Sequence, residues 1–100
     1  MAKTTVVNVK TTADFDVFIG RPSHWGNPYV IGRDGNRETV IEKFALYVAN
    51  QKSNLIIEAR TALRGKKLGC YCAPKACHGD LWASWADSEP GSVKIGDRFV

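Results

Sequence analysis

The run RGKKLGCYCAPKACHGD at residues 64–80 constrains the chain more than any other stretch. It holds all three cysteines and one of the two histidines. From Lys67 to Cys72, Leu68, Cys70 and Cys72 alternate with Gly69 and Tyr71, the period of a short strand. The turn Ala73-Pro74-Lys75-Ala76 follows. A helix is then predicted from about Cys77 to Ala86, with Leu81, Trp82, Trp85 and Ala86 as its apolar face. A strand feeding a helix through a tight turn brings the first helix amides to the strand's end, where they suit an anion. Cys77, His78 and Gly79 would supply those amides, with Lys75 just ahead of them.

The rest of the chain is read around this unit. Thr4–Val9 is β-branched and bounded by lysines, which predicts a first strand. Phe15, Val17 and Ile19 alternate with Asp16 and Phe18 as a second strand ending at Gly20. Residues 20–36 are punctuated by Gly20, Pro22, Gly26, Pro28, Gly32 and Gly35, yet carry Trp25 and Tyr29, so an ordered binding loop is expected. Asn36 caps a helix on which Val40, Ile41, Phe44, Tyr47 and Val48 recur at helical spacing. Ser53 or Asn54 starts a second helix to about Arg64, and Gly65 stops it. In the last residues Pro90-Gly91 marks a turn, and Val93, Ile95 and Phe99 suit a late strand.

The order β-β-α-α-β-α implies a small single-domain α/β sandwich, its sheet mixed or mostly parallel, with about three helices. The domain is expected over residues 1–87, with 88–100 as a tail. If Phe15–Ile19 and Gly65–Cys72 are neighbouring parallel strands, the loop after the second strand and the cysteine turn lie side by side.

Composition narrows the classes. A hydrophobic fraction of 44% speaks against disorder. No apolar run reaches the roughly 18 residues that span a bilayer, and the N-terminus lacks a signal-peptide core, so a cytoplasmic protein is expected. Three clustered cysteines do not resemble a secreted disulfide framework. The net charge of +4 favours an anionic partner.

Several chemistries compete for the cysteine stretch. As a Cys3His zinc site, Cys70, Cys72, Cys77 and His78 have suitable ligand types, but one residue between the first two cysteines is an uncommon spacing. As a nucleophile, Cys77 or Cys72 would take His78 or His24 as base, although no arginine stands six positions after any cysteine, as a cysteine phosphatase would require. As a binding turn, Lys75, His78 and Asp80 would face a ligand. The bland alternative is that the cysteines are small core residues and His78 braces the turn. In the 20–36 loop, Arg21 suits a phosphate or carboxylate, Trp25 a base or ring, and Asn27 an amide-like edge. Trp25 would equally suit a core.

The segments VFIGRPSHWGNPYVIGRDGNRETVIEKF at 17–44 and LRGKKLGCYCAPKACHGDLW at 63–82 closely resemble the uncharacterised family catalogued as domain of unknown function 4326, found in bacteria and phages. Gly20, Arg21, Trp25, Gly26, Asn27 and Pro28 match its pattern, as do Gly69, Cys70, Cys72, Pro74, Cys77, His78 and Gly79. The residues after Asp87 fall outside the resemblance. The Cys-His turn is also similar to that of domain of unknown function 488, where an arginine stands in the place of Gly79. Both resemblances imply a compact α/β domain with a polar site at its strand ends and nucleotide-like ligands.

The leading expectation is a small-ligand domain for a nucleotide or nucleotide-derived phosphate. Arg21, Lys75 and the amides of Cys77–Gly79 would hold the anion, and Trp25 and Asn27 the base. If the ligand is turned over, by hydrolysis or glycosyl transfer, the catalytic candidates are His78, Asp80, Cys77 and His24. A nucleic-acid module built on Arg60, Arg64, Lys66 and Lys67 ranks next, and a structural zinc domain after it. No cofactor is favoured, with zinc as the alternative. The oligomeric state is open.

Overall fold

The computed structural model describes residues 3–73, 75–95 and 98–100. Pro74 of the predicted turn therefore lies outside the described residues. Three strands, β1 (Thr5–Asn8), β2 (Val17–Phe18) and β3 (Lys67–Cys70), form one parallel sheet in the order β1-β3-β2. Val6 pairs with Leu68 and Asn8 with Cys70 on one side of β3, and Val17 with Leu68 on the other. The chain is thus an α/β domain, and β2 and β3 are parallel neighbours, which meets the condition for the loop after β2 and the cysteine turn to lie side by side.

β1 and β2 run the same way on opposite sides of β3, so residues 9–16 cross over β3 to join them. Parallel connections usually use a helix of a dozen or more residues; this one is too short for that and lies directly on the strand. Gly69 is the consequence. A Cβ there would stand 2.6 Å from Val9 Cγ1 and 2.9 Å from Phe15 Cδ2, closer than carbon atoms approach. On the opposite face, Leu68 and Cys70 are buried among the helices. A parallel sheet covered on both sides reads as apolar without clean alternation, which is why β3 is buried from Leu68 through Cys70.

Between β2 and β3 the chain forms α1 (Arg37–Gln51) and α2 (Asn54–Ala62). Asn36 caps α1 as expected, its Oδ1 accepting from the Thr39 amide at 2.9 Å. Val40, Phe44 and Val48 are the buried stripe of α1. After α2 the chain reverses at Gly65, whose φ of 77° suits a residue without a Cβ. The third helix, α3 (His78–Ala86), returns across the sheet and packs on β1, β3 and α2. Trp82 of α3 is fully buried and meets Trp25, Phe44 and Trp85 edge to face, at 4.9, 5.7 and 5.1 Å between ring centroids. These rings join the 20–36 loop, α1 and α3 into one core.

The tail does not extend the parallel sheet. β4 (Lys94–Ile95) and β5 (Arg98–Phe99) pair antiparallel as a separate ribbon, and Val93 and Val100 pack against the core. Arg60 of α2 anchors this region, donating to Ser88 Oγ, Glu89 O and Val100 O. Arg64 donates to Ala86 O at 2.7 Å and Ser88 O at 2.6 Å, satisfying carbonyls at the end of α3. Lys67 pairs with Asp14. Three of the four residues of the basic block are thus committed to the fold, leaving Lys66 as its remaining cation. Among the described residues, no helix is long and apolar enough to cross a membrane.

Candidate functional site

A cavity of about 310 Å³ opens where β2 and β3 end, the end of a parallel sheet at which sites are commonly built. Gly20 and Arg21 enter it from the end of β2, and Cys70, Tyr71 and Cys72 from the end of β3. Ala76, Cys77 and His78 come from the start of α3, while Arg37, Val40 and Ile41 come from α1. Its lining includes two arginines, Arg21 and Arg37, and, among the described residues, no carboxylate.

Each arginine is partly held by main-chain oxygens. Arg21 Nη1 donates to Asn27 O at 3.1 Å and Tyr29 O at 3.3 Å, which folds the loop back on itself after a cis Arg21–Pro22 peptide. Arg37 Nη1 donates to Ala76 O at 3.0 Å, bridging α1 to the cysteine turn. A guanidinium carries five N–H donors, so both keep donors for a ligand. Tyr29 and Tyr71 add aromatic surface to the same lining. Tyr71 is largely exposed and rests edge-on against Phe18.

Two thiols lie together in the lining. Cys77 Sγ–H donates to Cys70 Sγ at 3.5 Å, and the Ala73 amide donates to the same sulfur at 3.4 Å. These bonds favour the anionic form of Cys70 over the opposing effect of burial, holding its pKa down at about 6. Cys77 is pushed the other way, because its proton serves Cys70 and its site is buried. Cys72 also lines the cavity, but its sulfur has no hydrogen-bond partner among the described residues.

A family model described as "Domain of unknown function (DUF4326)" matches residues 4–88. The chain belongs to the DUF4326 family. It is also 48% identical over 81 residues to a protein of Enterobacteria phage T4 described as an uncharacterized 12.4 kDa protein in the nrdA-td intergenic region. That match covers 78% of this chain and 72% of the phage protein. No solved structure matches the chain. The tail ribbon lies beyond the part that the family model matches.

In this DUF4326 domain the start of α3 is not an open anion site. Cys77 is the N-cap rather than a first-turn residue: its sulfur accepts from the Gly79 amide at 3.3 Å, and its own amide donates to Asp80 Oδ2 at 3.2 Å. This reciprocal capping box occupies the amides of Cys77 and Gly79 and gives Asp80 a capping role. Only the His78 amide remains of the three expected to meet an anion. Gly79 is a packing residue, since a Cβ there would lie 2.8 Å from Ile19 Cδ1. Lys75 is exposed and does not line the cavity.

His78 does line the cavity. Its Nε2 lies 2.8 Å from Ile19 O, which fixes the ring against the end of β2. Burial depresses its pKa, so the neutral imidazole is favoured. His24 is elsewhere: it pairs with Glu58 at 3.0 Å and borders a second hollow of about 340 Å³ between α1, α2 and the loop. The sequence grouped the two histidines as acid-base candidates, but the fold separates their surroundings.

Trp25 and Asn27 serve the loop instead of presenting recognition groups. Trp25 is only 7% exposed and packs on Trp82, leaving no open face on which a base could stack. Asn27 Nδ2 donates to Val40 O at 3.1 Å, and its Oδ1 accepts from the Tyr29 amide at 2.9 Å. The side chain thereby splices the loop to α1 at the cavity wall. Among the described residues, no three Cys, His, Asp or Glu side chains converge to hold a metal, and His78 Nε2 faces a carbonyl.

Arg37 was the principal site residue missed from the sequence. One signal was present: a cation in the first turn of a helix opposes the helix dipole, where an acid such as Glu38 is preferred. A residue placed against that preference needs a partner outside its own helix. The two donors that meet the Cys70 sulfur, Ala73 N–H and Cys77 S–H, depend on how the turn folds, so the sequence alone does not single out Cys70 among the three cysteines.

Proposed function

We propose that this domain binds a nucleotide or nucleotide-derived phosphate in the cavity at the ends of β2 and β3. The observation that carries the reading is the pairing of Arg21 and Arg37 in a lining that, among the described residues, holds no carboxylate. Guanidinium groups suit phosphate oxygens because they offer parallel, charge-assisted hydrogen bonds. Tyr71 and Tyr29 offer ring faces for a base, in the role first expected of Trp25. The cavity is near the lower end of the size range of small-molecule sites, which favours a mononucleotide-sized ligand. A reducing compartment, the cytoplasm or a host's cytoplasm for a phage-encoded copy, suits three free cysteines.

A second reading, hydrolysis or group transfer on the same ligand, is favoured by the Cys70 sulfur in the lining and by its two hydrogen-bond donors.

Calorimetric titration with nucleoside mono- and diphosphates, beside inorganic phosphate, tests the binding. Saturable binding is expected, weakened about tenfold or more in Arg37→Gln, with the fold unchanged by circular dichroism. Absence of binding by every nucleotide in folded wild-type protein would sink the reading. Product analysis of the same mixtures separates turnover from binding alone.

A further inference from the structure

The cysteine pair carries chemistry that ligand binding does not require. Both Cys70 and Cys77 are free thiols, and their sulfurs touch at 3.5 Å within the cavity lining. The contact is directional: Cys77 donates and Cys70 accepts, while the Ala73 amide adds a second donor to Cys70. Cys77 stands at the start of α3, and the preceding residues Lys75 and Ala76 are exposed. The sulfurs need only close from contact to a bond of about 2.05 Å, and the exposed Lys75 and Ala76 side chains do not oppose that movement.

We infer that Cys70 and Cys77 are a peroxide-reactive dithiol that closes to an intramolecular disulfide in the wall of the cavity. Cys70 is the attacking sulfur, because two donors stabilise its anion; Cys77 is the resolving sulfur. Cys70 is only 2% exposed, so the oxidant that reaches it is small, of the hydrogen peroxide class.

In the first step the Cys70 thiolate attacks one peroxide oxygen and the O–O bond breaks. Hydroxide leaves, takes a proton and becomes water, and Cys70 becomes a sulfenic acid. Cys77 sulfur then attacks Cys70 sulfur as its own proton is lost, and the sulfenic hydroxyl leaves with a proton as a second water. The two thiols are oxidised by two electrons and the peroxide is reduced by two. The reaction concerns the protein alone and does not depend on the ligand proposed above.

The test is mass spectrometry on folded, fully reduced wild-type protein treated with a small excess of hydrogen peroxide. The expected result is loss of two hydrogens from the intact mass. Cleavage after Lys67, Lys75 and Lys94 should then leave the 68–75 and 76–94 peptides joined. The same link is expected in Cys72→Ser, which assigns it to Cys70. In the Cys72→Ser/Cys77→Ser double variant no resolving sulfur remains, and the intact mass should instead gain one oxygen, located on Cys70 in the 68–75 peptide. Free Cys70 and Cys77 thiols after treatment of folded wild type would overturn the inference. So would a bond from Cys72 to either partner in place of the Cys70–Cys77 link.

Discussion

The indole N–H of Trp82 donates to the main-chain carbonyl of Trp25 at 2.8 Å, and the two rings meet edge to face. One side chain of α3 thus fixes both the backbone and the ring of the loop that brings Arg21 and Asn27 to the cavity. The bond is buried, so its loss cannot be made good by water.

Trp82→Phe keeps an aromatic ring but removes the donor and part of the volume. The Trp25 carbonyl loses its buried partner and a void opens beside Phe44. A destabilisation of about 2–3 kcal/mol is expected in urea unfolding. A change under about 0.5 kcal/mol would show that the loop is held by other contacts.

Arg64 binds two carbonyls at the end of α3 through short bonds. Arg64→Met retains much of the aliphatic stem and leaves those acceptors without their cation. A loss of about 1–3 kcal/mol is expected, while Lys66→Met should lie within about 0.5 kcal/mol of wild type. Equal effects of the two substitutions on unfolding midpoints would refute the division of labour within the basic block.

Burial lowers the His78 pKa in the folded protein, so over the ordinary histidine range the unfolded chain binds more protons. Stability should therefore rise with pH through that range and fall as the medium is acidified below it. Cys70 has the same sign at higher pH: its folded pKa of about 6 is below its unfolded value, so its contribution grows above 6. That gain levels off near the ordinary thiol value. His78→Gln should flatten the acidic part of the profile measured by urea unfolding, with the thiol part retained. An unchanged acidic slope would mean that His78 does not govern it.

The helices and the strand-turn-helix of the cysteine stretch were legible because their causes are local or periodic, whereas the parallel pairing of β2 with β3 entered only as a condition that the structure meets. Asn36 precedes the Val40–Phe44–Val48 stripe, and the cysteine stretch displays its strand, turn and helix in sequence. Partnerships across the chain were not legible. Trp25 in a Gly/Pro-rich loop looked available to a ligand until Trp82, from a distant helix, was seen to cover it. Arg60 and Arg64 looked like a cationic surface because the carbonyls they bind become neighbours only after α3 folds back. The amides of Cys77 and Gly79 looked open because a cysteine as N-cap, completed by Asp80, is an uncommon form of a familiar cap.

The position of β3 between β1 and β2 has a consequence for the order in which the chain can acquire structure. Both outer strands are synthesised early, yet neither pairs with the other, and the strand they share lies at residues 67–70. During translation, residues 5–18 must therefore wait without a sheet partner until α1 and α2 have already emerged. The sheet is assembled by insertion of its centre, and its hydrogen bonds all span long stretches of sequence, a topology that slows folding relative to local pairing. The helical segments between the outer strands and their missing neighbour are free to form first, leaving β3 to complete the sheet and bring the cysteine turn to the end of β2.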